Sequence, residues 1–249
     1  LYIHMPKSAR NKTDPLDTFY DKTNDNPFHI EIGIDEAGRG PMFGRVYAAA
    51  VVLPKDNSFD HHEMKDSKRF HSEKKINEIA DYIKNKSICW SVCYSDENEI
   101  DTINIRQATL KTMRECIKEI HTKLSTLDDL YKISLLLVDG NDFKPYMLFD
   151  TKTNAYQQLN HICIEGGDNK YTAIAAASIL AKVERDLYIK KLCDENPELK
   201  EKYGLDKNKG YGTKQHLDGI RQYGISQWHR KTYGLCKNYT VSSSEISSE

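Results

Sequence analysis

No hydrophobic run in this 249-residue sequence approaches the roughly 18 residues of a membrane-spanning helix, and no signal-peptide core lies near its start. A membrane partner is therefore not expected. Paired cysteines are also missing: Cys89, Cys93, Cys116, Cys163, Cys193 and Cys236 are scattered, with no CxxC spacing. That pattern excludes a disulfide framework or a zinc ribbon and suits a reducing compartment, the cytoplasm or, in a eukaryote, the nucleus. The Asn238-Tyr239-Thr240 sequon then has no meaning. An excess of one charge is absent too, since the net charge is −1, so charge alone does not announce a nucleic-acid binder. Internal repeats are not found.

What is present is a soluble globular composition, 39% hydrophobic and 29% charged. From Lys200 to Lys237 nine Lys or Arg stand against three acids, interleaved with Tyr203, Tyr211, Tyr223, Tyr233 and Trp228. Aromatic rings among cations suit a nucleic-acid backbone and its bases, although a solvated basic face explains the same pattern.

Residues 1–28 are polar, lack a hydrophobic period and read as a flexible extension, with Met5 as the native initiator. Ile30–Ile34 and Val46–Leu53 read as strands, joined by a turn carrying Gly38, Gly40, Pro41 and Gly44. A helix opens at Ser72, a suitable N-cap, and runs to about Lys84 with Ile76, Ile79, Ala80 and Ile83 on one face. Ile88–Tyr94 reads as a third strand and Glu97–Thr122 as one long helix. Tyr131–Val138 is apolar almost throughout, as a central strand covered on both faces would be. Ile162–Ile164 is a short strand, and the helix expected from Thr172 to Leu192 carries small residues that allow close packing on a sheet. Strands in a meander, then alternating with helices, define an α/β fold with a mixed sheet flanked by helices. The expected organisation is a catalytic domain over 29–195, a small helical C-terminal cap over 196–240 and a disordered tail over 241–249.

Four acids stand where strands end. Asp35 and Glu36 close the first strand, Asp139 follows the apolar strand, and Asp168 follows Gly166-Gly167. Open sheets place their sites at such carboxyl edges. Each acid also has a plainer reading, as a turn or helix cap. Adjacent strand residues point to opposite faces, so Asp35 and Glu36 share a site only if the strand end twists. Taken together, hard oxygen donors without neighbouring histidine or cysteine favour Mg²⁺ or Mn²⁺ over zinc and suit phosphoryl chemistry.

The residues that carry a family resemblance are Asp35-Glu36-Ala37-Gly38-Arg39-Gly40-Pro41, Asp66-Ser67-Lys68, Val138-Asp139-Gly140, Gly167-Asp168-Asn169-Lys170-Tyr171, Ala175 to Asp186, and Gly210-Tyr211-Gly212-Thr213 with His216. In this order, from about Ile30 to Arg230, the chain resembles the type 2 ribonucleases H, in their single-chain prokaryotic form. The resemblance implies an RNase H-like fold with a helical C-terminal extension and a monomer that cleaves the RNA strand of RNA–DNA hybrids. It also implies incision 5′ of single ribonucleotides in duplex DNA, leaving 3′-hydroxyl and 5′-phosphate ends. Asp35, Glu36, Asp139 and Asp168 would be the catalytic carboxylates that bind Mg²⁺ or Mn²⁺. Gly38, Arg39 and Gly40 would read the ribose, since only RNA offers a 2′-hydroxyl to a bare glycine backbone. Tyr211 would pack on the deoxyribose beyond the ribonucleotide, and Asp66, Ser67, Lys68, Ser178 and Lys182 would be phosphate or structural contacts of the substrate. Asp186 reads as a helix-surface or supporting acid. The family more often has proline in place of Ile225 and phenylalanine near Tyr233. A catalytically inactive hybrid-binding protein is the alternative, disfavoured by the presence of all four acids. A four-carboxylate exonuclease or integrase-like enzyme would leave the Gly-Arg-Gly loop and Tyr211 unexplained.

Overall fold

A computed structural model describes residues 15–64, 72–128, 130–150 and 154–241. A mixed five-stranded sheet organises them, in the order β3-β2-β1-β4-β7. β1 (His29–Ala37) lies in the middle, antiparallel to β2 (Val46–Val52) and parallel to β4 (Lys132–Asp139). β3 (Cys89–Ser95) extends the sheet beyond β2, and β7 (His161–Ile164) extends it beyond β4. β5 (Tyr146–Asp150) and β6 (Ala155–Leu159) form a separate hairpin.

Side-chain alternation sorts the strands onto two covered faces. Ile30, Ile32 and Ile34 of β1, with Ala48, Ala50, Leu136 and Val138, pack against Leu110, Met113, Ile117 and Ile120 of α3 (Ile105–Leu127). On the other face Tyr47, Ala49 and Val51 meet α1 (Glu73–Lys86) and the alanines of α4 (Thr172–Glu195). α4 approaches β1 as closely as two backbones allow. A Cβ on Gly33 would lie 2.1 Å from the carbonyl carbon of Ala173, so glycine is required there. Burial all round explains why α4 has no polar stripe in its first half.

α4 outlasts the sheet. Its Ile189, Leu192 and Cys193 enter another core with α5 (Glu198–Tyr203), α6 (Leu205–Asn208) and α7 (Lys214–Tyr223), together with Ile225 and Cys236. Met42 and Phe43, from the β1–β2 turn, complete this core. The cap is thus built on the same turn that carries the Gly-Arg-Gly sequence.

Three expectations change. The helix read over 97–122 breaks into α2 (Glu97–Ile103) and α3 at Asn104, whose φ is +66° and whose side chain accepts from the Gln107 amide to cap α3. The β5–β6 hairpin was not expected. Its residues lack a clean apolar alternation because one face is exposed at Met147, Phe149 and Tyr156. The extension read as flexible over 1–28 is tied down from Asp17 onward, while residues 1–14 lie outside the described residues. Asp17 pairs with Tyr171, donates to the Lys170 carbonyl and accepts from the Thr172 amide; the Tyr20 and Asp21 amides donate to the buried Glu31 carboxylate at 2.8 Å. Backbone hydrogen bonds of this kind leave no hydrophobic period to read. Of the tail, 242–249 lie outside the described residues; Val241 bridges Ile225.

Candidate active site

The register of β1 and β4 sets the site. Ile34 pairs with Val138 toward α3, so the next residues, Asp35 and Asp139, leave adjacent parallel strands on the α4 face. Asp35 is buried at 4% exposure. It accepts from the Ser178 hydroxyl on α4 and, at 2.7 Å, from the Glu36 amide. Burial first, then the negative charges of Glu36 and Asp139, push its carboxyl well above the ordinary carboxylate range, against those two hydrogen bonds. Asp139 Oδ1 accepts from the Gly167 amide at 2.6 Å, which draws the 3₁₀ turn Gly167–Asn169 toward the strand end. A Cβ on Gly167 would meet Ile174 at 2.6 Å and that same oxygen at 3.3 Å. Asp168, on this turn, is buried at 5% and takes a hydrogen bond from the Asn169 side chain. It is not the cap of α4, since that position belongs to Tyr171. Glu36 leaves the strand on the opposite side, half-buried, and accepts from Arg39 Nη1 at 3.2 Å. It still raises Asp35, so the two faces communicate across the strand end.

Among the described residues no three acid, histidine or cysteine side chains already close up as an ion cage. The fit to a divalent cation is one of donor chemistry and charge: all donors are hard oxygens, and Asp35 is crowded by the negative charges of Glu36 and Asp139.

Most of the side-chain hydrogen bonds that hold the Gly-Arg-Gly loop come from one residue. Arg230, fully buried, donates through Nη2 to Gly38 O (2.6 Å), through Nη1 to Arg39 O (3.1 Å) and Pro41 O (2.8 Å), and through Nε to Gly44 O (2.8 Å). Burial pushes its guanidinium down to about 10, so it remains a cation at neutral pH. The Tyr233 hydroxyl adds a bond to Arg39 O at 2.9 Å, a contact phenylalanine could not make. Arg185 of α4 is the second buried guanidinium. It donates to the carbonyls of Phe43, Arg45 and Lys209 and so ties this turn to the loop carrying Tyr211. Met42 N donates to Gly210 O across the same seam. The Tyr211 ring is half-exposed, and its edge lies 3.5 Å from where a Gly40 Cβ would stand.

The remaining expected contacts divide. Ser178 is buried on Asp35 rather than open to a phosphate. Lys182 is paired with Asp186 at 2.7 Å, one turn along α4. Asp66, Ser67 and Lys68 lie outside the described residues. Arg230 and Arg185 were not singled out as site residues. Their signal was an arginine at the end of a resembling block, with no acid at helical spacing to explain it.

Against solved structures, this fold is similar to the ribonuclease H2 of Pyrococcus horikoshii, with TM-score 0.56 and 23% identity over 84% of this chain and 96% of that one. It is equally similar to the RNase HII of Archaeoglobus fulgidus, solved in complex with PCNA, with TM-score 0.58 and 22% identity over 83% and 96%. The fold is therefore that of the ribonucleases H of this type. In sequence, the family model for ribonuclease HII matches residues 32–236. Ribonuclease HII of Parabacteroides distasonis is 41% identical over 83% of this chain and 90% of its own length, and that of Pelagibacter ubique 42% over 82% and 95%. The chain belongs to the ribonuclease HII family. It is a hydrolase, an endonuclease for the RNA strand of RNA–DNA hybrids.

Proposed function

We propose that this enzyme incises on the 5′ side of a single ribonucleotide embedded in duplex DNA, leaving 3′-hydroxyl and 5′-phosphate ends. Asp35, Asp139 and Asp168 act as ligands for divalent ions, Mg²⁺ or Mn²⁺, and Glu36, which leaves the strand on the other side but lies close enough to repel Asp35, joins them by holding a second ion. The observation that carries the reading is the buried Asp35 carboxylate, set on the same face as Asp139 and repelled by it and by Glu36. A site that concentrates negative charge at a buried strand end is relieved by a cation. When bound, such ions lower the pKa of the attacking water and offset charge on the leaving oxygen.

The chain's own groups hold the donors in place. Ser178 and the Glu36 amide orient Asp35, and the Gly167 amide fixes one oxygen of Asp139. Arg39 holds Glu36 and exchanges that contact for the substrate phosphate next to the ribose. With the carbonyls of Gly38, Arg39 and Pro41 bonded to Arg230, the loop meets the 2′-hydroxyl through its amides. Tyr211, against Gly40, occupies the neighbouring sugar position, where a ring disfavours a second 2′-hydroxyl. This adjacency supports junction reading. The Gly-Tyr-Gly-Thr form supports a monomer, and the free thiols suit the reducing compartment inferred above.

The test is an end-labelled DNA duplex with one ribonucleotide, incubated with Mg²⁺, Mn²⁺ or EDTA. A metal-dependent nick 5′ of the ribonucleotide is expected. Cutting of a continuous hybrid with no nick at the lone ribonucleotide would remove the junction role from Arg39 and Tyr211.

A further inference from the structure

Tyr211 is exposed, but the main chain that presents it is not free to move. Its amide donates to Asn208 O at 2.9 Å, and its carbonyl accepts from the Thr213 amide at 2.8 Å. The carbonyl also meets His216 Nδ1 at 3.0 Å. His216 lies on α7 and is fully buried. Its other nitrogen, Nε2, is 3.0 Å from Nε2 of His229, likewise fully buried. His229 Nδ1 in turn is 3.0 Å from the Ser226 amide and 2.8 Å from its hydroxyl.

The two ends of this chain fix every proton in it. A carbonyl only accepts, so His216 Nδ1 carries a hydrogen and, in the neutral ring, Nε2 is a bare acceptor. His229 Nε2 must then be the donor, which leaves its Nδ1 bare. That is the group a backbone N–H requires. The order runs one way, from Ser226 N–H to His229 to His216 to the Tyr211 carbonyl. Reversing either ring would set two hydrogens or two lone pairs face to face. Aromatic walls close the chain off: Tyr203 stands edge-on to both rings at 6.1 and 4.9 Å, and Phe43 edge-on to His229 at 5.0 Å. Burial holds both rings neutral, as the order demands.

We propose that His216 and His229 are positioning residues for Tyr211, a directional hydrogen-bond chain that fixes the main chain from which the ring projects. The inference rests on the reading of Tyr211 as the junction reader. Neither histidine touches substrate. A side chain mounted on immobilised backbone loses only its own rotamer freedom when it packs on a sugar, and it discriminates by a fixed distance. A ring on a loose loop would yield to a second 2′-hydroxyl instead of rejecting it.

Two measurements test this. The first is ¹⁵N NMR of the histidine-labelled wild-type enzyme. It should show His216 protonated on Nδ1 only and His229 on Nε2 only; the opposite tautomers, or a charged ring at neutral pH, would overturn the chain. The second is the ratio of kcat/KM at a lone ribonucleotide to kcat/KM on a continuous hybrid. His216→Leu should lower this ratio about tenfold, in the direction of Tyr211→Ala. His216→Asn, whose amide replaces the Nδ1 donor, should restore most of it. If Tyr211→Ala lowers the ratio while His216→Leu leaves it unchanged, or if Leu and Asn lower it equally, the positioning role is refuted on its own. If Tyr211→Ala leaves the ratio unchanged, junction reading falls and the positioning role with it, while the NMR result still decides the hydrogen-bond chain.

Discussion

Replacing Arg230 with methionine isolates what one buried cation does for the ribose-reading loop. The side chains are similar in length, but methionine has no donor. Four hydrogen bonds to the carbonyls of Gly38, Arg39, Pro41 and Gly44 would be lost. Hydrogen bonds to a charged group contribute roughly 1.5–3 kcal/mol each, so the gross loss is about 6–12 kcal/mol. Against it stands relief from burying a guanidinium, several kcal/mol, and the apolar methionine fills part of the space. The net cost should be about 3–5 kcal/mol, the usual range when one partner of a buried charged network is removed. For a chain of this size each kcal/mol moves Tm by about 2–4 °C, so Tm should fall by about 6–20 °C. Thermal unfolding followed by circular dichroism reads this directly. Arg230→Lys should also be destabilised, because a compact ammonium cannot span acceptors from Gly38 to Gly44. Both variants should lose cleavage at a lone ribonucleotide at temperatures where they remain folded. A methionine variant that melts within about 2 °C of wild type and cuts normally would show that the loop does not depend on Arg230.

Asp139→Asn should abolish cleavage while hybrid binding, measured by fluorescence anisotropy, stays near wild type; cutting at the wild-type rate with either metal would sink the carboxylate assignment. Asp35→Asn should destroy activity yet stabilise the metal-free protein by about 0.5–2 kcal/mol, read as a higher Tm, since it removes a buried, repelled carboxylate. The sign follows from the raised carboxyl: the native state holds a proton that the unfolded chain has released, so metal-free stability falls as pH rises above about 4 toward the native value. The Asn variant should lack that slope in EDTA, and an unchanged slope would refute the electrostatic account. His229 behaves oppositely. Burial pushes its ring down to about 3, so its stability contribution is present above about pH 6.5 and is lost as pH falls; from 6.5 to 5 the loss is about 2 kcal/mol, which His229→Gln should flatten in pH-dependent melts. Gly33→Ala should cost about 3 kcal/mol or more by driving α4 off β1; a stable alanine variant would contradict the backbone contact.

The parts that the sequence made legible are those whose cause is local or periodic. The apolar runs of β1, β2 and β4, the isoleucine stripe of α1 and the acid at the end of β4 all follow from neighbours along the chain. Whether Asp35 and Asp139 share a face was not local: it needed the parallel register of β1 and β4. The break at Asn104 was hidden because the apolar stripe continues on either side of it. The role of Arg230 and Arg185 was harder to read, for a different reason. Their partners are main-chain carbonyls, which leave no residue type to recognise, so the chemistry that holds the loop appears only when the cap is folded onto it. Ser178 and Lys182 lay on one helix face as the i, i+4 spacing required, but their engagement with Asp35 and Asp186 depended on three-dimensional neighbours.

The bond from Arg230 to Gly38 joins residues 192 positions apart. During synthesis the strand bearing Asp35 and Glu36 precedes Arg230 by far, and the loop beside it lacks that support until the segment carrying Arg230 has been made and has left the ribosome. At translation speeds of about 5–20 residues per second that delay is roughly ten seconds to half a minute or more. A nascent chain therefore carries its acids without a finished reader of ribose. A nuclease whose ribose-reading loop is closed by a residue so far along the chain acquires its acids first and the support for its discrimination only afterwards.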